Sequence, residues 1–396
     1  MPAPRPEELR AQFLLNPEVV FLNHGSFGAC PRPVFEAYQR WQLEMERQPV
    51  EFLGRRFNDL MRAARAPLAE YLGTAPDNVV YVPNATTGVN IVARSLRLGP
   101  GDEILTTDHE YGACDRTWRF LSEKGGATYR AVELPVPLAA PDELVERFWA
   151  EVTPRTRVIF LSHITSPTAL ILPVREICAR ARAAGILTLV DGAHSVGQIP
   201  LRLDDLGADF YTSNCHKWLL APKGAAFLYV RPERQSLVEP LVVSWGWRSD
   251  TPGPSRFVDE QEWTGTRDYA ASLATPAAIE FQRTHQWEAV RAACHALAVE
   301  TRARLLALTG LPALSGPEQF AQMFAVRLPP CDTDALKRRL YDEFNVEVPL
   351  TKWKTHGLLR VSVQGYNIPS DMDRLLKAME SLLAGKEIKR PPTGGR

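Results

Sequence analysis

The middle of this chain consists of short, continuously apolar runs separated by stretches of helical character. That alternation restricts the fold more than any other feature. Asn78-Val79-Val80-Tyr81-Val82 reads as a strand and Gly88 to Leu96 as the helix after it. Glu103-Ile104-Leu105-Thr106 precedes helical Asp115 to Ser122, and Val158-Ile159-Phe160-Leu161-Ser162 precedes helical Val174 to Ala184. Ile186 to Val190, Asp209 to Thr212 and Ala225 to Val230 are further strands. A strand that is apolar on both faces needs cover on both, and intervening helices supply it. The expected class is α/β, with a mainly parallel central sheet sandwiched by helices.

After about Trp263 the pattern changes. Ala270 to Leu308 carries helical spacing through Ile279, Phe281, Val290 and Leu297. Strand-like Met323 to Leu328, helix-like Thr333 to Phe344, strand-like Leu358 to Val363 and helix-like Ser370 to Leu383 make a smaller α+β unit. The expected division is a large domain over 24–262 and a small domain built from 1–23 and 263–396. Helix Arg32 to Phe57 bridges them, and basic, Pro- and Gly-rich 386–396 is a frayed tail. A chain of 396 residues exceeds what one compact core accommodates.

Charge excludes several classes of function. Lys plus Arg equals Asp plus Glu at 46 each, so no nucleic-acid surface is expected. No apolar run approaches the roughly 20 residues that cross a bilayer. Met1-Pro2-Ala3-Pro4-Arg5-Pro6 has no apolar core behind it, so no signal peptide is expected. The six cysteines form no CxxC pair and the eight histidines no HExxH motif. Free thiols, a cytoplasmic location and no metal follow as expectations.

The chemistry is concentrated at two residues. Gly185-Ile186-Leu187-Thr188-Leu189-Val190-Asp191 is an apolar strand ending in a carboxylate, and Lys217 follows the next strand in Ser213-Asn214-Cys215-His216-Lys217-Trp218. A strand-end Asp with a Lys on the neighbouring turn suits pyridoxal phosphate (PLP). The amine makes a Schiff base, and the carboxylate keeps the pyridine nitrogen protonated. At 4 Å and an effective dielectric near 20, that ion pair is worth about 4 kcal/mol. His194 lies three residues past Asp191, within reach of the cofactor's phenolic oxygen or ring face, or serves as a turn histidine. Asn84-Ala85-Thr86-Thr87-Gly88 opens a helix where backbone N–H groups and the hydroxyls of Thr86 and Thr87 are available to a phosphate. The GK[ST] ending of a nucleotide loop is missing. Tyr111 follows the next strand, where an aromatic stacks on the pyridine. Arg360 interrupts an apolar strand; its fork fits a substrate carboxylate, and an internal salt bridge is the alternative.

Together these residues resemble the class V aminotransferase family of fold-type I PLP enzymes, and within it the isopenicillin N epimerase-like branch. The resemblance covers most of the chain. It rests on Phe21-Leu22-Asn23-His24-Gly25-Ser26-Phe27-Gly28, Asp108-His109-Glu110-Tyr111-Gly112 and Ser162-His163-Ile164-Thr165-Ser166-Pro167-Thr168. Asp191-Gly192-Ala193-His194, Asn214-Cys215-His216-Lys217-Trp218 and Thr264-Gly265-Thr266-Arg267-Asp268 complete it. The resemblance implies a homodimer with active sites at the interface. It implies that Thr266 reaches the phosphate of the neighbouring subunit's cofactor, that Asn214 and His216 help hold that phosphate, and that Arg360 grips the substrate α-carboxylate. Asn23 and His24 would lie near the substrate, and Ser166 stands where relatives often place an Asn beside the phenolic oxygen. Cysteine desulfurases carry a nucleophilic Cys just before the strand of the carboxylate-binding Arg. Here 346–357 holds none, which removes the persulfide route.

The expected activity is amino-acid chemistry at Cα, with Lys217 as Schiff-base lysine and general base. Return of the proton to the opposite face makes an epimerase, with Tyr111 and His24 as candidates for the second acid. A Cys-independent C–S lyase is the alternative, and an aminotransferase the third. A NAD-dependent oxidoreductase is disfavoured because no GxGxxG follows the first strand. A PLP-binding regulator without activity is disfavoured because Asp191 and Lys217 are both in place.

Overall fold

The computed structural model of the protein describes residues 4–384. The tail expected over 386–396 lies outside the described residues. Seven strands form the central sheet: β1 (Val79–Val82), β2 (Glu103–Thr107), β3 (Thr128–Val132), β4 (Thr156–Ser162), β5 (Leu187–Asp191), β6 (Phe210–Asn214) and β7 (Ala226–Val230). Their order is β1-β7-β6-β5-β4-β2-β3. β7 is antiparallel to both neighbours and the other neighbouring pairs are parallel. Successive side chains of a strand point to opposite faces, and the core divides accordingly. Val79, Tyr81, Leu105, Ile159, Leu161, Val190 and Tyr211 belong to one apolar cluster; Val80, Ile104, Val158, Phe160, Leu189 and Phe210 belong to another. This is the covered, mainly parallel sheet expected from the continuous apolar runs.

The smaller sheet is antiparallel, in the order β9 (Leu350–Trp353), β10 (His356–Ser362) and β8 (Met323–Arg327). The N-terminal segment joins it indirectly: Val20–Phe21 pairs in parallel with Val346–Glu347, and Ser362 N–H donates to Leu22 O.

Local chemistry moved several boundaries. The helix expected from Gly88 starts at Ala85, because Asn84 caps it by accepting from the Thr87 N–H at 2.8 Å. The helix expected over Arg32 to Phe57 ends at Arg47. Pro49 disfavours helical geometry at Gln48, and a loose helical turn over Val50–Arg55 leads into a separate helix, Phe57–Leu72. The stretch from Ala270 breaks into Ala270–Leu273, Thr275–Thr284 and Trp287–Thr309, with Gln286 in the left-handed region at φ 49°. Strand β3, in which only Val132 is buried, and helix Pro141–Trp149, which buries Leu144, Val145 and Phe148 on one face, went unforeseen.

The topology brings Thr107, Ser162, Asp191 and Asn214, each the last residue of its strand, to one end of the sheet. Crevices at the carboxyl ends of parallel strands are where α/β folds place ligands.

Candidate active site

A cavity of about 300 Å³ opens at that end of the sheet. Eight of the residues expected at the site line it: Thr86, Tyr111, Ser166, Asp191, His194, Asn214, His216 and Lys217. Lys217 follows β6 on a turn held in place by two glycines. Gly28 (φ 68°) lies against the His216 carbonyl and Gly197 (φ 88°) against the Trp218 carbonyl, so closely that a Cβ on either glycine would collide with backbone. Both have the positive φ that glycine tolerates. This accounts for Gly28 in the Asn-His-Gly-Ser-Phe-Gly run.

Burial, with help from the Arg360 charge, pushes the Lys217 amine down to about 8; Asp191 opposes the shift. Its Nζ lies 3.3 Å from His194 Nε2. The Trp218 indole N–H, 3.4 Å from His194 Nδ1, settles the ring's proton. An indole only donates, so Nδ1 accepts. Burial holds His194 neutral, well below the usual histidine range. Its one ring proton is therefore on Nε2, directed at Lys217, and the amine accepts it in its neutral form. Gln282 Nε2 donates to the Trp218 carbonyl at 2.8 Å and anchors this turn from behind.

One end of the cavity is suited to an anion. Asn214 Oδ1 accepts from the Ala85 N–H at 2.9 Å and pins the start of helix Ala85–Ser95 to β6. Thr86 lines the cavity beside it, whereas the Thr87 N–H and hydroxyl are both occupied by Asn84. His216 Nδ1 is buried without a hydrogen-bond partner, and burial pushes the ring down to about 4. At the other end lies Asp191. Its Oδ1 accepts from the Ala193 N–H at 2.9 Å and its Oδ2 from the Cys114 thiol at 3.5 Å. Burial raises its pKa. A helix start with an unpartnered ring nitrogen, a reactive amine and a carboxylate awaiting a cation are the donors and acceptors that a phosphorylated pyridine aldehyde needs. The residues fit PLP.

Arg360 approaches from β10. Its Nη1 donates to Ser166 O at 2.6 Å and to Ser166 Oγ at 3.2 Å, and its Nη2 donates to Ser26 Oγ at 3.2 Å. Nε has no partner. Burial pushes the guanidinium down to about 10, and among the described residues no carboxylate bonds to it. The internal salt bridge is thereby set aside. Ser26 in turn donates to Asn23 Oδ1 at 2.5 Å, and Asn23 Nδ2 donates to Glu347 at 2.9 Å. Asn23 thus lies behind Arg360 and does not line the cavity. His24 does not line it either. It is fully buried, with Nδ1 3.0 Å from the Tyr366 hydroxyl and Nε2 3.0 Å from Lys217 O. Thr266 is exposed and away from the cavity of its own chain.

The sequence reading missed Ser26, Phe27, Asn84, Ser162, Ile164 and Ala193, which also line the cavity. Ser162 was legible as the end residue of β4; Phe27, 73% exposed at the mouth, offered no signal beyond its motif. The loop carrying Tyr111 is clamped by the small sheet. Lys354 Nζ bonds Asp108 Oδ2 at 2.6 Å and Glu133 at 2.7 Å, and the Trp353 indole donates to Asp108 O at 3.0 Å. This hairpin occupies the stretch without cysteine, and among the described residues no cysteine lines the cavity.

Comparison with known proteins agrees with this geometry. The model of the family described as aminotransferase class-V matches residues 24–375. Isopenicillin N epimerase of Amycolatopsis lactamdurans is 40% identical over 393 residues, covering 94% of this chain and 97% of that protein. L-cysteine desulfhydrase of Arabidopsis thaliana is 32% identical, covering 92% and 88%. Among solved structures, a cysteine desulfurase from Thermococcus onnurineus NA1 superposes with a TM-score of 0.83 at 22% identity, over 97% of this chain and 99% of that one. C-DES carrying glycine covalently linked to its PLP cofactor gives 0.82 at 23% identity, over 94% and 98%. These two likenesses establish the fold. With the family model matched along most of its length and a relative 40% identical across nearly all of it, the chain belongs to the class V aminotransferase family.

Proposed function

We propose that the protein is an amino-acid epimerase of the isopenicillin N epimerase-like kind, with Lys217 removing the α-proton. The cofactor is pyridoxal 5′-phosphate, the coenzyme of this family. Bound at Lys217, it supplies the electron sink that makes the Cα–H bond acidic. The remaining work belongs to the chain. Arg360 receives the α-carboxylate with a buried guanidinium that pairs with no other anion among the described residues. Lys217, already inclined to the neutral form, takes the proton. His194 Nε2–H steadies the amine. Asn214, Thr86 and His216 hold the phosphate end, and Asp191 holds the ring nitrogen. Inversion needs an acid on the other face. His24 has both ring nitrogens engaged behind Lys217, so we assign that role to Tyr111, which lines the cavity and is 46% exposed. The observation that carries the epimerase reading is the 40% identity with isopenicillin N epimerase over almost the whole chain.

A second reading is favoured by the desulfhydrase relatives: β-elimination from a cysteine-type substrate. It needs the same Arg360 and Lys217 and no thiol in the cavity.

We further infer a homodimer. Val50, Val243 and Trp245 are 69%, 65% and 84% exposed, and Val50 and Trp245 line one surface cleft with Trp263. A second copy covering this surface would let Thr266 reach the neighbouring cofactor. We take 24–262 as the large domain and the rest as the small one, and place the protein in the cytoplasm on account of its free thiols. Among the described residues no helix is long and apolar enough to cross a membrane.

Proton NMR of the PLP-loaded protein in D₂O with a panel of amino acids tests the reaction. Loss of the α-proton signal with an intact carbon skeleton, and appearance of the D-isomer, is the expected result. Pyruvate with released sulfide would overturn it in favour of the lyase.

A further inference from the structure

We propose that Glu110 is a positioning residue of this site: its carboxyl group orients the Ser162 hydroxyl toward the cavity and sets the charge beside Asp191. Glu110 is in the loop after β2, and its two oxygens are each 2.6 Å from a strand-end hydroxyl, Oε1 from Thr107 Oγ1 and Oε2 from Ser162 Oγ. Ser162 is the register partner of Asp191 on the neighbouring strand, and both line the cavity. Glu110 thus sits behind Ser162, next to the carboxylate that would hold the pyridine nitrogen.

The groups facing Glu110 are Asp191 from β5, Cys114 from helix Gly112–Gly125 and Tyr129 from β3. None is a cation, and among the described residues no lysine or arginine hydrogen-bonds to it. A buried carboxyl with a carboxylate for a neighbour keeps its proton. Burial is the larger cause and Asp191 adds to it, and together they push Glu110 up to about 8 against the two hydroxyls. Cys114 and Tyr129 are also pushed up, so neither adds a charge.

The proton then has a direction. Thr107 Oγ1 accepts from the His109 N–H at 3.3 Å and gives its own proton to Glu110 Oε1. The Glu110 O–H is left to donate to Ser162. Among the described residues the Ser162 hydroxyl has no second partner, so its proton is free to face the cavity it lines. Ionisation of Glu110 reverses this arrangement. Ser162 turns back to the carboxylate, the cavity loses a donor, and a second negative charge appears beside Asp191.

A cationic ring next to Asp191 favours that second charge, so binding of PLP lowers the Glu110 pKa. A lowering of about one pH unit makes PLP bind about tenfold more tightly above the transition than below it. Two measurements test the proposal. In pH-difference infrared spectra, the C=O stretch of a protonated carboxyl should be present at about pH 6, lost by about pH 10, and missing from Glu110→Gln. Glu110→Asp, which keeps an acid, should move the band without abolishing it. In parallel, the PLP dissociation constant is measured across the same range. The wild type should gain about tenfold in affinity relative to Glu110→Gln, which lacks the titrating group. Lys217 titrates in both proteins, so their difference reads Glu110 alone. An unchanged infrared band in Glu110→Gln, or identical pH dependence of PLP binding in the two proteins, would overturn the proposal. The proposal rests on the cofactor assignment and is independent of which reaction follows. The infrared arm needs no cofactor, so its failure is distinct from failure of that assignment.

Discussion

Arg360→Met separates a guanidinium kept for a substrate from one kept for stability. Arg360 is 5% exposed and bonds only neutral oxygens, on Ser166 and Ser26. Burial pushes it down to about 10, which corresponds to about 3 kcal/mol of unfavourable environment for the cation. An apolar chain of similar length removes that cost and loses three hydrogen bonds whose acceptors lie beside the cavity, within reach of water. The two effects are of similar size, about 1 kcal/mol per bond lost against about 3 kcal/mol recovered. The melting temperature is expected to stay within a few degrees of the wild type. Substrate recognition is affected differently. A bidentate, charge-assisted carboxylate contact contributes about 3 kcal/mol, so kcat/KM for α-proton exchange should fall about a hundredfold. The decisive assay compares an amino acid with the amine that lacks its carboxylate, both followed by α-proton exchange in D₂O. Wild-type protein should prefer the acid by about that factor, and Arg360→Met should not discriminate. Equal losses on the acid and the amine, or a collapse in melting temperature, would refute a carboxylate-binding role.

Two further outcomes follow from the Lys217 turn. In the role proposed for Lys217 the neutral amine is the form that captures PLP, and a group lowered to about 8 becomes neutral as pH rises through that value. The rate of PLP attachment to cofactor-free protein should rise about tenfold per pH unit below 8 and level off above it, measured by stopped-flow absorbance; a continued rise toward pH 10 would contradict the lowered value. Trp218→Phe keeps a ring in place but removes the donor that fixes His194. Selective 13C and 15N labelling should show the His194 ring passing from one tautomer to a mixture, and an unchanged ring signal would refute the assignment.

How much of this was legible in the sequence depends on how local each signal is. Strands β4 to β6 were read because burial on both faces forces continuous apolar runs. Strand β3, at the sheet edge, leaves Thr128 to Ala131 exposed or half-buried and buries only Val132, so it lacks the continuous apolar run and was missed. Asp191 and Lys217 were read because one strand and one turn fix them. The partners of Arg360 could not be read, because they come from chain segments 194 and 334 residues away. His24 shows the same limit. Its motif pointed toward the substrate, but Tyr366 and the Lys217 carbonyl hold it behind the lysine. Glu110 was passed over because a carboxylate in a loop reads as solvated, and only the fold shows that it is buried between two strand-end hydroxyls.

The state of the thiols narrows the choice of reaction further. A persulfide mechanism needs a thiolate beside the substrate. Cys114 reaches the site by giving its S–H to Asp191, and Cys215 next to His216 is packed in the core; burial pushes both thiols up. Neither lines the cavity. Among the described residues no thiol is therefore placed to carry sulfur away from a substrate. In the proposed reading, epimerisation and elimination share every residue up to removal of the α-proton, with Arg360 assigned to the carboxylate, Lys217 to the proton and His194 to the amine. They part on which comes first, a proton from the opposite face or loss of the β-substituent. Tyr111, proposed above as the acid of the opposite face, is among the described residues the one phenol lining the cavity, on a loop braced by Lys354 and Trp353. A braced donor favours prompt return of the proton, and this is the physical reason to place proton return ahead of elimination.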